Sequence, residues 1–170
     1  MITVKNLTSD ADIAQWWVEK KNYEANDVFP NLENSEAEKA EAIEWFNSQD
    51  YYDTIMRLHR QAAKGGSPLQ FVFFYLPDGE YIGFANYKIY TEEDGKAIIL
   101  DFSISAPLRN QGLGAEAYSA LENHLQGEGS TYVTLNTSNA NNRRFWQRIG
   151  FTQTETEEHG EMVYRKEIIK

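Results

Sequence analysis

The chain has 170 residues and no Cys, and its 16 Lys and Arg against 26 Asp and Glu give a formal charge of −10 at pH 7. That length suits a single domain, and the missing Cys excludes disulfides, thiolate metal sites and a cysteine nucleophile. Hydrophobic residues at 41% exclude a disordered acidic tail, while the acidic balance speaks against nucleic acid as a partner and for a cationic substrate.

Residues 2–7 read as a short strand, after which Thr8-Ser9-Asp10 supplies an N-cap for a helix through Trp16 and Trp17. Residues 35–46 join a Ser N-cap to strong helix formers, with acids in the first turn where the helix dipole favours them. A third helix is expected over residues 51–63, ending at Gly65-Gly66-Ser67-Pro68. The texture then changes. Residues 70–76 and 81–90 are rich in Phe, Tyr, Val and Ile around Pro77-Asp78-Gly79-Glu80, which predicts a β-hairpin. A second turn at Glu93-Asp94-Gly95-Lys96 leads into residues 97–104, the third strand of an antiparallel meander.

Leu113, Ala117, Leu121 and Leu125 recur four apart and predict an amphipathic helix over residues 114–125. A strand at 132–137, a helix at 139–149 and strands around 151–156 and 162–169 complete the chain. This order predicts an α+β fold, a mixed sheet of about six to seven strands with helices on both faces, not a Rossmann alternation. The start of the chain has neither the positive flank nor the apolar run of a signal peptide, and no 18 consecutive residues are apolar. A cytoplasmic protein without a membrane partner is therefore expected.

The most informative segment is Ile104-Ser105-Ala106-Pro107-Leu108-Arg109-Asn110-Gln111-Gly112-Leu113-Gly114-Ala115, between a buried strand and an amphipathic helix. Glycines at 112 and 114 let a ligand approach the backbone, and the free N–H groups and positive end of the following helix favour an anion. The third glycine of the dinucleotide fingerprint is missing, as is the Gly-Lys-Ser/Thr of a Walker A loop.

The run Arg109-Asn110-Gln111-Gly112-Leu113-Gly114 resembles the acetyl-CoA-binding motif of the GNAT superfamily of N-acetyltransferases. A second segment, Asn139 to Phe151, is similar to that family's Asn-led helix ending in Gly-Phe. The resemblance is firm over residues 70–170 and loose over the first 67. It implies one GNAT-like domain, in which residues 68–170 bind the cofactor and residues 1–67 form a variable acceptor side. Acetyl-CoA would then be the cosubstrate, with the backbone of Asn110, Gln111, Gly112, Leu113, Gly114 and Ala115 on its pyrophosphate. Main chain near Ile104 and Ala106 would pair with the pantetheine arm, with Asn139, Asn142 and Trp146 beside it and Arg109 within the motif. The splayed parallel pair of strands 97–104 and 132–137 would hold the thioester.

The reaction implied is direct attack of a primary amine on the thioester in a ternary complex. A primary ammonium with a pKa of about 10 must first lose its proton. Asp101 is the first candidate for the base, because an acid inside the apolar run AIILDFSI needs a partner or a purpose; Glu80 and an ordered water are the alternatives. Trp146 departs from the family pattern, standing where many members carry the Tyr credited with protonating the thiolate, and indole N–H cannot supply that proton. Pro107 also lies two residues before Arg109 instead of three. The Trp146 departure supports an alternative reading, a non-catalytic acyl-CoA sensor; an interaction module whose acidic surface is the working face is another.

His59, His124 and His159 share no ligand spacing, so no metal site is expected. His159 is expected in an exposed turn. The rings and acids of the first 64 residues, Trp16, Trp17, Tyr23, Glu24, Asp27, Phe29, Trp45, Tyr51 and Tyr52, suit either a cation pocket or a core. The resemblance also leaves room for a homodimer through an exposed strand edge.

Overall fold

The computed structural model describes residues 1–61, 67–137, 139–158 and 160–168; the turn expected at Gly65-Gly66 and the position of His159 lie outside them. In chain order the elements are β1 (Thr3–Asn6), α1 (Asp10–Tyr23), α2 (Glu36–Phe46), α3 (Gln49–Arg60), β2 (Gln70–Tyr75), β3 (Tyr81–Tyr90), β4 (Lys96–Ile104), α4 (Leu113–Gly127), β5 (Tyr132–Asn136), α5 (Ala140–Arg148), β6 (Thr152–Glu158) and β7 (Glu161–Glu167). Serine starts each of the first three helices, at Ser9 and Ser35 as read from the sequence and at Ser48 ahead of the expected start of the third: each hydroxyl accepts from the backbone N–H three residues on.

The seven strands form one sheet in the order β1-β2-β3-β4-β5-β7-β6. All neighbours are antiparallel except β4 and β5. Strand alternation divides the core between the two faces. In β2, Phe71 and Phe73 turn to a cluster with Trp16, Trp17, Tyr51 and Ile55 from α1 and α3, while Val72 and Phe74 turn to Leu121, Leu125, Trp146 and Phe151 on the opposite face. Trp16 is fully buried and stacks on Phe71 at 3.9 Å, a contact contributing about 0.5–1.5 kcal/mol beyond its burial. The rings read as core or pocket are therefore divided: Trp16, Trp17 and Tyr51 are core, and Trp45 and Tyr52 are exposed.

Two irregularities shape the site. After Tyr23, α1 widens into a π turn (Glu24–Val28) followed by a 3₁₀ turn (Phe29–Asn31) that carries Pro30 in its first turn; π turns of this kind are frequent at functional sites. In the β3–β4 pairing, Asn86 faces Asp101 but Tyr87 faces Ile99, so Leu100 is an extra residue on β4. The bulge reverses the alternation that Ala97 and Ile99 begin. Phe102 and Ile104 therefore face α4 and α5, and Asp101 faces α1.

Candidate active site

Strands β4 and β5 pair only from Lys96 to Ile98 against Tyr132 to Thr134 and then diverge. The opening widens into a cleft of about 930 Å³, floored by Ile99, Leu100, Phe102 and Ile104 and walled by Leu135, Asn136 and Thr137. The start of α4 closes one end. Gly112 is the N-cap with φ 80°, and Asn110 is also left-handed at φ 63°, a conformation Asn tolerates better than most residues. Among the described residues, none of the N–H groups of residues 110–115 donates to a backbone carbonyl or a side chain. Six donors at the positive end of a 15-residue helix form an anion cradle. A Cβ on Gly114 would stand 3.1 Å from the Phe145 ring, so glycine lets α4 pack closely on α5 at this mouth without the ring giving way.

Helix α5 forms the other wall. Asn139 accepts at its Oδ1 from the N–H of Asn141 at 2.8 Å and Asn142 at 3.3 Å, so it caps the helix as well as lining the cleft. Asn142, Arg144 and Arg148 line the same wall. Trp146 reaches the cleft from a buried cluster, 5.3 Å from Phe102 and 5.7 Å from Tyr118 between ring centres. Two tyrosines of the preceding sequence are committed elsewhere: Tyr118 donates to Glu122 at 3.0 Å and Tyr132 to Asp94 at 2.6 Å.

Of the residues singled out in the sequence, Ile104, Arg109, Asn110, Gly112, Gly114 and Ala115 line the cleft, with Asn139, Asn142 and Trp146 opposite. Gln111 and Leu113 do not line it; Gln111 donates to the Pro107 carbonyl at 3.4 Å, and Leu113 packs on the core. Ala106 lies in a neighbouring cavity of about 150 Å³. The Arg109 side chain does not turn to the anion cradle. Its Nε donates to the Ile104 carbonyl at 2.7 Å, and its two amino groups donate to both oxygens of Asp27 at 2.9 and 2.8 Å.

Asp101, the first candidate for the base, stands apart from these residues. It does not line the cleft. Its Oδ2 accepts from the ammonium of Lys20 and the amide of Asn86, each at 3.0 Å, and its N–H donates to Asn86 Oδ1 at 2.7 Å. Lys20 is buried and also lies 3.4 Å from buried Glu24. Burial alone would lower the Lys20 pKa, but Asp101, Tyr51 and Glu24 outweigh it and raise it well above the ordinary range. A carboxylate held by such a cation is an ion-pair partner for α1, and the bulge at Leu100 is what aims it there.

The end of α1 and the turns after it add Tyr23, Asp27 and Asn31 to the lining, a contribution to the cleft that the sequence did not announce. Asp27 is the single carboxylate, and there is no His, among the described residues of the cleft. The Thr137 hydroxyl, buried in the cleft wall, has no hydrogen-bond partner among the described residues. His59 meets the Leu69 carbonyl at 2.7 Å and stacks on Phe71, and His124 meets Asn6 at 2.6 Å and Glu128 at 3.0 Å; both serve the scaffold. Among the described residues no group of three His, Asp or Glu could hold a metal, and no helix is long and apolar enough to cross a membrane.

A model of the acetyltransferase (GNAT) family matches residues 14–151. No curated protein was found similar in sequence. In fold, the chain is similar to the PaiA N-acetyltransferase of Thermoplasma acidophilum, solved in complex with coenzyme A: 16% identity over 98% of this chain and 99% of that chain, TM-score 0.66. It is also similar to a GNAT-family acetyltransferase of Staphylococcus aureus, at 10% identity over 99% and 100% of the two chains and TM-score 0.66. N-Acetylglutamate synthase of Neisseria gonorrhoeae, complexed with coenzyme A and N-acetyl-glutamate, matches at 15% identity over 100% of this chain and 36% of that chain, with TM-score 0.62.

Proposed function

The chain belongs to the GNAT acetyltransferase family, and we propose that it moves the acetyl group of acetyl-CoA to a primary amine by direct attack in a ternary complex. The observation that carries this reading is the set of unpaired N–H groups at the start of α4, where Asn110, Gly112, Gly114 and Ala115 line the cleft between β4 and β5. The residues fit the cosubstrate: the cradle suits a pyrophosphate, and the orphaned Thr137 hydroxyl suits an amide-bearing arm. Arg144 and Arg148 place positive charge on the α5 wall for further phosphate. Bound there, acetyl-CoA supplies an activated acyl group and a thiolate leaving group.

The chain's own part is mainly to bind and orient, since bringing two reactants into one cleft removes much of the entropic barrier. Asp101 anchors α1 through Lys20 and does not take up the amine proton; that proton leaves through solvent in the cleft, and the neutral fraction of the amine attacks. The acidic chain attracts a cationic acceptor. In this reading residues 1–170 are a single domain whose first 67 residues shape the acceptor side, with Tyr23 and Asp27 as their contribution to the cleft.

Calorimetric titration with acetyl-CoA, with NADH as control, tests the reading. One-site saturable binding of acetyl-CoA alone is expected; absence of binding overturns it.

A further inference from the structure

The large cleft and the neighbouring cavity of about 150 Å³ share four side chains: Tyr23, Asp27, Ser103 and Arg109. Three of these are bonded to one another. Arg109 holds both oxygens of Asp27, and one of its amino groups lies 3.4 Å from the Ser103 hydroxyl oxygen, which accepts from it. Tyr23 is different. Its ring is fixed edge-on against Phe84, with centres 5.6 Å apart, yet its hydroxyl makes no hydrogen bond with a described residue, and it is the single tyrosine among the described residues lining the cleft. It also ends α1 where the π turn begins. A tyrosine with its ring fixed and its O–H unspent on the described residues thus belongs to the lining of both cavities.

Acyl transfer needs such a donor, because charge develops on the departing sulfur and on the carbonyl oxygen in the transition state. We propose that Tyr23 is a catalytic residue, whose hydroxyl donates a hydrogen bond to the departing thiolate, and that the smaller cavity is the port by which the amine reaches the acyl carbon. This rests on the acetyl-CoA reading above. The amine nitrogen forms its bond to the acyl carbon, the carbon–sulfur bond breaks with its electron pair going to sulfur, and the proton shed by the amine reaches sulfur through solvent. Tyr23 keeps its own proton throughout. Burial and the neighbouring Asp101 raise its pKa far above the usual phenol value, more than Lys20 and Arg109 lower it. A phenol so weakly acidic is a donor to the charge and a poor deliverer of a proton.

The test uses the absence of Cys from the chain, which makes coenzyme A the one thiol in the mixture. The first readout is free-thiol release from acetyl-CoA with hydroxylamine, a small amine that is neutral near pH 7. Tyr23→Phe, which keeps the ring against Phe84, is expected to lower kcat about 100-fold while leaving acetyl-CoA affinity within about twofold. The second readout needs no turnover: the pH dependence of alkylation of bound coenzyme A by iodoacetamide. Its thiol should titrate about one pH unit lower, a tenfold difference, in the wild type than in Tyr23→Phe. Equal kcat and equal thiol titration in an active wild type overturn the role of Tyr23 and leave the acetyltransferase reading standing. A wild type that releases no thiol overturns both.

Discussion

Arg109 and Asp27, 82 residues apart in sequence, are joined by two parallel hydrogen bonds of 2.9 and 2.8 Å. The pair ties the loop before α4 to the π turn after α1, so the anion cradle and the acceptor side are fastened at one point. Arg109→Lys removes the fork that makes this geometry possible. Both side chains are about a third exposed, and urea unfolding should read a loss of only about 1 kcal/mol. Acetyl-CoA affinity should fall less than about threefold, because the guanidinium is spent on Asp27; a loss above tenfold would mean that it binds phosphate instead.

Lys20 is the buried cation between Asp101 and Glu24, at 3.0 and 3.4 Å. Lys20→Met leaves two carboxylates facing an apolar layer, and a loss of about 3–5 kcal/mol is expected. The pH dependence follows from the raised pKa of the folded state. The contribution is complete below the unfolded lysine value of about 10.4 and is lost as pH rises from there towards the folded value. Denaturant midpoints of wild type and variant should therefore keep a constant separation from this group between pH 7 and about 10, and converge above it.

Gly112 has φ 80° and open space where a Cβ would be. Gly112→Ala should cost about 1 kcal/mol in thermal or urea unfolding, through the left-handed backbone alone, with little effect on acetyl-CoA. Gly112→Glu places a carboxylate at the mouth of the cradle and should weaken acetyl-CoA binding at least about tenfold by like-charge repulsion. Unchanged affinity in calorimetry would show that the cradle is not where the phosphates sit.

With one carboxylate in the cleft, itself bound to Arg109, and no His among its described residues, the amine loses its proton to solvent and only its neutral fraction attacks. Below the pKa of a primary amine acceptor, kcat/KM should rise about tenfold per pH unit. Asp101→Asn should leave that slope unchanged. A plateau setting in near about pH 7 would identify an enzymic base after all.

The elements were legible because their signals are local: aromatic and β-branched richness around a turn in β2 and β3, four-residue spacing in α4, Ser caps on α1 and α2, and the two motifs around Gly112 and Asn139. What was not legible depends on register. An acid inside AIILDFSI announces that it needs a partner, but the partner is Lys20, 81 residues away, and one bulged residue decides which face the acid meets. The direction of the Arg109 side chain has the same origin, since its carboxylate lies in a π turn that reads as continued helix. Tyr23 and Asp27 were grouped with rings and acids that proved mostly core or surface, because composition cannot distinguish a helix end that faces an opening from one that faces a sheet.

An ordinary open sheet has two rims, and this one has a third within it. From Ile99 to Ile104, β4 is paired on one side with β3 and has no described strand on the other. Along that stretch the peptide groups that turn away from β3 look towards the cleft, and of these the Ile104 carbonyl already accepts from the Arg109 side chain. Such a rim invites an extended amide chain. Amide hydrogen exchange along residues 99–104 therefore becomes a gauge of occupancy: fast at alternate positions when the rim is bare, slow when a ligand completes the sheet.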